Sequence, residues 1–228
     1  MNNWRMLMWQ NNTKDIAEIF VNELEAERFT VDKTGAKTIE IIGASFIADE
    51  PAIFGIPNEE YIQAELDWYD SMSTNINTLA DIYGKSPIAW QYSANDYGEI
   101  NSNYGALIFG EKYYSQFENV LTELSENPDS RRGCMVYNRP SIWVEYNEDG
   151  KNDFICTNAV TYYIRDGRLD AVVQMRSNDV VFGYRNDYAW QQYVQQELAS
   201  ELFVEVGDIH WQVQNLHVYE RHFDLVRG

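Results

Sequence analysis

Apolar residues recur at helical spacing from Asp15 to Arg28, where Ile16, Ile19, Phe20 and Leu24 share one face and Thr13 is placed to cap the start. After the loop Val31-Asp32-Lys33-Thr34-Gly35, the run from Lys37 to Phe46 reads as a strand. Asn58 to Met72 returns to a helical pattern, with Tyr61, Leu66 and Tyr69 directed to a core. Periodicity then fails from Pro87 to Tyr104, a stretch rich in Trp, Tyr, Asn and Gly that reads as irregular. Glu111 to Glu126 reads as a helix ending near Asn127-Pro128, and Met135 to Glu145 as a strand. Asn186 to Leu202 is a further helix, packing through Tyr193, Leu198 and Leu202 and turning Gln191, Gln192, Gln195 and Gln196 outward. Val206 to Tyr219 is the last strand region.

The pattern between Asn152 and Asp187 predicts a hairpin turning at Asp166-Gly167, a pair that tolerates the positive φ of a two-residue turn. Pairing outward sets Arg165 against Arg168. Continued without a bulge, it sets Cys156 against Ser177, with Arg176 beside them; a bulge shifts the match by one. Thiol, hydroxyl and guanidinium thus gather at one end of the hairpin. A thiolate is the reactive form of Cys, and a nearby Arg lowers its pKa. Arg and Ser together suit a phosphate. A Cys in an apolar strand is more often an inert core residue, so these neighbours make Cys156 a candidate nucleophile.

Composition narrows the partners. The chain has 228 residues, enough for one domain with a substantial core, and a formal net charge of -19. Such acidity favours solubility and argues against binding duplex DNA or an anionic membrane. A phosphorylated ligand then needs a local basic cluster. The adjacent Arg131 and Arg132, following Asn127-Pro128, are either that or a solvated basic spot. Two cysteines, Cys134 and Cys156, suggest no disulfide framework and fit a reducing cytoplasm. No apolar run approaches the roughly 20 residues of a membrane span, and the polar start is no signal peptide. The first 13 residues read as a variable segment. His210, His217 and His222 lack the spacing of a metal site, so none is expected. His217 and Tyr219, two apart, fall on one face of a strand.

Cys156, the run Arg176-Ser177-Asn178-Asp179 and Gly183 resemble the core of the thymidylate synthase superfamily. The strings VDKTGAKTIEIIGASF, GEINSNYG, NPDSRRG, DFICTN, MRSNDVVFGYRNDYAW and LHVYERH are similar to its phage deoxycytidylate hydroxymethylase branch. The likeness runs from about Arg28 to Leu225. It implies an α+β fold: a mixed β-sheet with packed helices, one domain, and a sheet-mediated homodimer. It implies dCMP and 5,10-methylenetetrahydrofolate as substrates, with no metal. Cys156 would be the nucleophile, and Glu65 would organise water and relay protons. Lys33, where synthases carry Arg, would reach the phosphate with Arg176 and Ser177, joined across the dimer by Arg131 and Arg132. His217 and Tyr219 would bind the deoxyribose hydroxyl. Tyr104 would lie near the reacting carbon, Trp90 against the folate and Asp179 at the pterin. The product would feed modified phage DNA in the cytoplasm of an infected bacterium, with a nucleotide-synthesis enzyme complex as a possible setting.

The chemistry has a physical logic. Thiolate addition at C6 of cytosine makes C5 nucleophilic, splitting one hard step into easier ones. After one-carbon transfer, water gives a hydroxymethyl product, whereas hydride gives a methyl group and dihydrofolate. Asp187 stands where synthases have Asn. A carboxyl accepts from the N4 amino group of cytosine, while the Asn amide suits uracil. An Asp at a helix start is also a common cap. Thr157 after the Cys and Met175 before the Arg depart from synthases, which usually carry His and Gln there. The chain runs only briefly past Phe223-Asp224-Leu225, where synthases use a tail to close over folate. Reductive methylation, or a non-catalytic nucleotide-binding subunit, are the alternatives.

Overall fold

The computed structural model describes residues 11–31 and 35–228, so Lys33 lies outside the described residues. In chain order the elements are β1 (Asn11–Asn12), α1 (Thr13–Glu25), β2 (Thr30–Val31), β3 (Lys37–Ile47), α2 (Glu59–Asp70) and α3 (Ile76–Tyr83). There follow α4 (Ile88–Ser93), α5 (Tyr104–Phe109), α6 (Gln116–Glu126), β4 (Cys134–Val136) and α7 (Ile142–Glu145). The chain closes with β5 (Thr157–Arg165), β6 (Arg168–Met175), β7 (Asn178–Asp179), α8 (Phe182–Glu201), β8 (Glu205–Tyr219) and α9 (Phe223–Arg227).

The strands form one mixed sheet in the order β1-β3-β8-β6-β5-β4, with β2 on β3 and β7 on β8. The Asp166-Gly167 turn sets Arg165 opposite Arg168 as expected, and both turn residues have positive φ (53° and 77°). β6 pairs parallel to β8 through a crossover that contains α8. That crossover buries one sheet face. Leu169, Ala171 and Val173 of β6 and Ile209, Trp211 and Val213 of β8 point into a core that also holds Trp190, Val194 and Leu198 of α8. The opposite face stays open, and there Gln174 Nε2 donates to Gln212 Oε1 at 3.2 Å.

A bulge interrupts the hairpin between Thr157 and Ala159. Beyond it Thr157 pairs with Met175, and Arg176 N donates to Cys156 O at 2.9 Å. Cys156 therefore faces Arg176 in the register, where unbroken pairing would have set it against Ser177.

Other expectations shift for local reasons. Asn12, not Thr13, caps α1: its side chain accepts from Asp15 N at 3.0 Å while its own N–H donates to Asp15 Oδ2 at 2.9 Å. The helix expected from Glu111 to Glu126 is broken by Tyr114 and Ser115, both at positive φ (68° and 44°), and resumes as α6. The strand expected from Met135 to Glu145 stops at Val136, since the ladder breaks at the bulge in β5, where Tyr137 N and Asn138 N both donate to Asn158 O, and the chain then turns into α7. α4 lies within the stretch expected to be irregular, and α3 and α5 are helices that the sequence pattern does not predict. Gln191 and Gln195, expected outside, are buried. Gln195 Nε2 donates to Leu169 O at 2.7 Å, tying α8 to the sheet with the polar bond a buried amide requires. α5 packs closely on α2 because Gly105 leaves no Cβ, which would stand 1.8 Å from Tyr69 O.

Candidate active site

The bulge fixes the thiol end of the site. Arg176 Nε donates to Ile155 O at 2.9 Å and its Nη2 to Phe154 O at 2.6 Å, so backbone carbonyls hold the guanidinium. Nη2 then lies 3.6 Å from Cys156 Sγ. Burial nevertheless pushes the thiol up to about 11; Arg176 opposes this, while Asp187 and Asp153 add to it. Arg176 thus pulls the thiol pKa down as expected, and desolvation outweighs that pull. Ser177 sits half-buried beside Arg176.

A second group is anionic. Glu65 on α2 is buried, accepts from Tyr61 Oη at 2.5 Å and Trp90 Nε1 at 3.1 Å, and is raised to about 7 by burial. Trp90 Nε1 also donates to Tyr61 Oη at 3.0 Å. Asp187 on α8 accepts from Asn178 Nδ2 at 2.8 Å and is held well above the usual carboxylate range, by burial first and then by Glu65. The fully buried Tyr104 stacks on Tyr69, its hydroxyl accepts from Thr157 Oγ1 at 3.0 Å, and it also supports the charged form of Asp187. Cys156, Glu65, Asp187, Tyr104, Trp90 and Arg176 are therefore one connected neighbourhood, drawn from six separate chain segments.

Asp179 has two roles available to it. Its Oδ1 accepts from Val181 N at 3.0 Å and Phe182 N at 2.7 Å, opening α8, while its buried Oδ2 has no partner among the described residues. His217 pairs with Asp179 across β7 and β8, and its ring lies 4.8 Å from that of Tyr219, on one side of the strand as expected. Burial lowers the His217 pKa, opposed by Asp179. Arg131 and Arg132 stand apart from this group, on an exposed loop after α6. Arg132 pairs there with Glu123 at 2.9 Å.

Sequence reasoning missed three members. Tyr61 lies four residues before Glu65, so helical spacing alone places it on the same face. Thr157 and Asn178 carry no such spacing signal: their tasks come from contacts to Tyr104 and Asp187 across the fold.

A sequence model of the family described as thymidylate synthase matches residues 18–228. The chain belongs to the thymidylate synthase family. It is 57% identical over 210 residues to the deoxycytidylate 5-hydroxymethyltransferase of Enterobacteria phage T4, covering 89% of this chain and 84% of that protein. The phage T2 enzyme of the same name gives the same figures. The thymidylate synthase of Buchnera aphidicola is 28% identical over 207 residues, covering 86% of this chain and 75% of the relative. Membership accounts for the mixed sheet with packed helices expected from the sequence, and this family uses methylenetetrahydrofolate as co-substrate.

Proposed function

We propose that this protein is a deoxycytidylate 5-hydroxymethyltransferase that converts dCMP, methylenetetrahydrofolate and water to 5-hydroxymethyl-dCMP and tetrahydrofolate. The observation that carries the reading is a buried carboxyl, Asp187, close enough to Cys156 to raise its pKa, in a family member 57% identical to enzymes of that name. Cys156 adds to C6 of the base, making C5 nucleophilic. Arg176 holds the phosphate and favours the thiolate as it forms, with Ser177 beside it. Asp187 reads the cytosine edge, and Tyr104 supports it from the side. His217 and Tyr219 bind the sugar hydroxyl.

The folate supplies the one-carbon unit. Asp179 Oδ2, a buried acceptor with no partner among the described residues, fits a pterin N–H, and Trp90 offers an indole beside Glu65. Glu65, raised to about 7, is poised to orient the attacking water and move its proton near neutral pH. The open sheet face supports a homodimer, through which Arg131 and Arg132 reach the partner's phosphate site. The phage relatives favour action in the cytoplasm of an infected bacterium.

The test is a single assay. Purified protein with methylenetetrahydrofolate receives dCMP or dUMP, and products are identified by mass. Hydroxymethyl-dCMP with tetrahydrofolate is the expected result. A methylated product with dihydrofolate overturns the water step and keeps Cys156 as nucleophile. No turnover by folded protein overturns the enzyme reading.

A further inference from the structure

A neutral carboxyl is an ambidextrous reader of pyrimidines. Its O–H can donate to N3 of cytosine while its other oxygen accepts from N4. With the proton on the other oxygen, the same group donates to O4 of uracil and accepts from N3–H. Burial, Glu65 and Asp179 all favour the neutral form of Asp187. A carboxyl of this kind separates the two bases only if something fixes which oxygen carries the proton.

Asn178 is in position to do that. It is 3% exposed, on β7, and its Nδ2 donates to Asp187 Oδ2 at 2.8 Å. Its amide cannot turn round freely, because the buried Trp211 Nε1, a donor only, points at Asn178 Oδ1 from 3.3 Å. The indole fixes the amide, and the amide N–H is best met by the stronger acceptor of a neutral carboxyl, its carbonyl oxygen, at Asp187 Oδ2. That arrangement favours the proton on Oδ1. Gly183 keeps the space open: a Cβ there would stand 3.2 Å from Asn178 Nδ2.

We propose that Asn178, held by Trp211, is a positioning residue that gives the Asp187 carboxyl a fixed hydrogen-bonding polarity and so makes it read cytosine rather than uracil. This rests on the reading of Asp187 as the base-contacting group. With Oδ1 facing N3 and Oδ2 facing N4, cytosine finds a donor and an acceptor in the right order. Uracil in the same pose meets donor against donor and acceptor against acceptor.

The experiment measures kcat/KM for dCMP and dUMP in full-length Asn178→Leu, Trp211→Phe and Asp187→Asn variants, with folding checked by circular dichroism. Asn178→Leu keeps the volume and loses the donor. It should lower the dCMP:dUMP ratio by tenfold or more, mainly through a higher KM for dCMP and a gain on dUMP. Trp211→Phe keeps an aromatic plug and frees the amide to flip, and should lower the ratio severalfold. Should Asn178→Leu fail to fold, Asn178→Ser, which keeps a weaker donor, together with Trp211→Phe decides the matter. A folded Asn178→Leu, or that pair, with an unchanged ratio overturns the role of Asn178. Asp187→Asn separates the two readings: if it leaves the ratio unchanged, the base-reading role of Asp187 itself fails.

Discussion

Asp153 and Asp187 are both buried carboxylates near Cys156, and both raise its pKa, yet they are held in opposite ways. Asp153 is saturated. It accepts from Asn101 N at 2.6 Å, Ser102 N at 2.8 Å and Ser102 Oγ at 2.5 Å, so both oxygens are engaged and the loop before α5 is clamped to the chain before Cys156. Asp187 receives a single short amide bond on one oxygen and weaker support from Tyr104. A buried acceptor with all its partners inside the chain builds structure. One with spare lone pairs is held ready for something from outside. Near this thiol, the number of internal donors separates the two jobs better than burial does.

That contrast breaks most readily in substrate choice. Asp187→Asn should lower the dCMP:dUMP preference by about 10^3-fold or more, measured as a ratio of kcat/KM, with folding stability within about 1 kcal/mol of the parent. Asp153→Ala should behave in reverse. Three buried donors lose their acceptor, and a urea melt should show a loss of about 4 kcal/mol, with base preference unchanged in whatever folds. If the two variants gave the same pattern, counting internal donors would carry no information.

Glu65 lies between the two, and pH exposes it. Its pKa of about 7 stands above the ordinary 4.5, so the folded chain holds a proton that the unfolded chain has released. Stability from this group is present at low pH, falls as pH rises through that window and is gone above 7. Glu65→Gln should remove about 3 kcal/mol of that slope, seen in the difference between variant and parent melts across the window. Trp90→Phe should have the smallest effect. It removes one donor to the Glu65 carboxylate and should move that limb of the pH profile upward by up to about one unit.

The hairpin, its turn and the two long strands at its flank were legible because alternation and an Asp-Gly pair are local signals. The thiol's partner was not legible to the residue. Pairing from the turn gives the match only up to the first bulge, and nothing local marks Thr157 and Ala159 as its site. Gln191 and Gln195 misled because polarity was read as exposure. Gln195 is buried by its bond to a carbonyl on another element, which no helical pattern encodes. Candidate residues of types with distinctive chemistry, such as Cys156, Glu65 and Asp187, could be named from motif and resemblance. Asn178 could not, since its task consists only of what it touches.

The bulge also sets a frame for the strand. Before it the odd positions Asp153, Ile155 and Thr157 are buried; after it the even positions Val160 and Tyr162 are. Removing a single residue there would restore strict alternation and exchange the two sides of the approach, turning Ile155 outward and the thiol into the core. Length changes in this short stretch are therefore tolerable only in pairs. A lineage that keeps the reactive thiol can vary almost any side chain here more freely than it can vary the count.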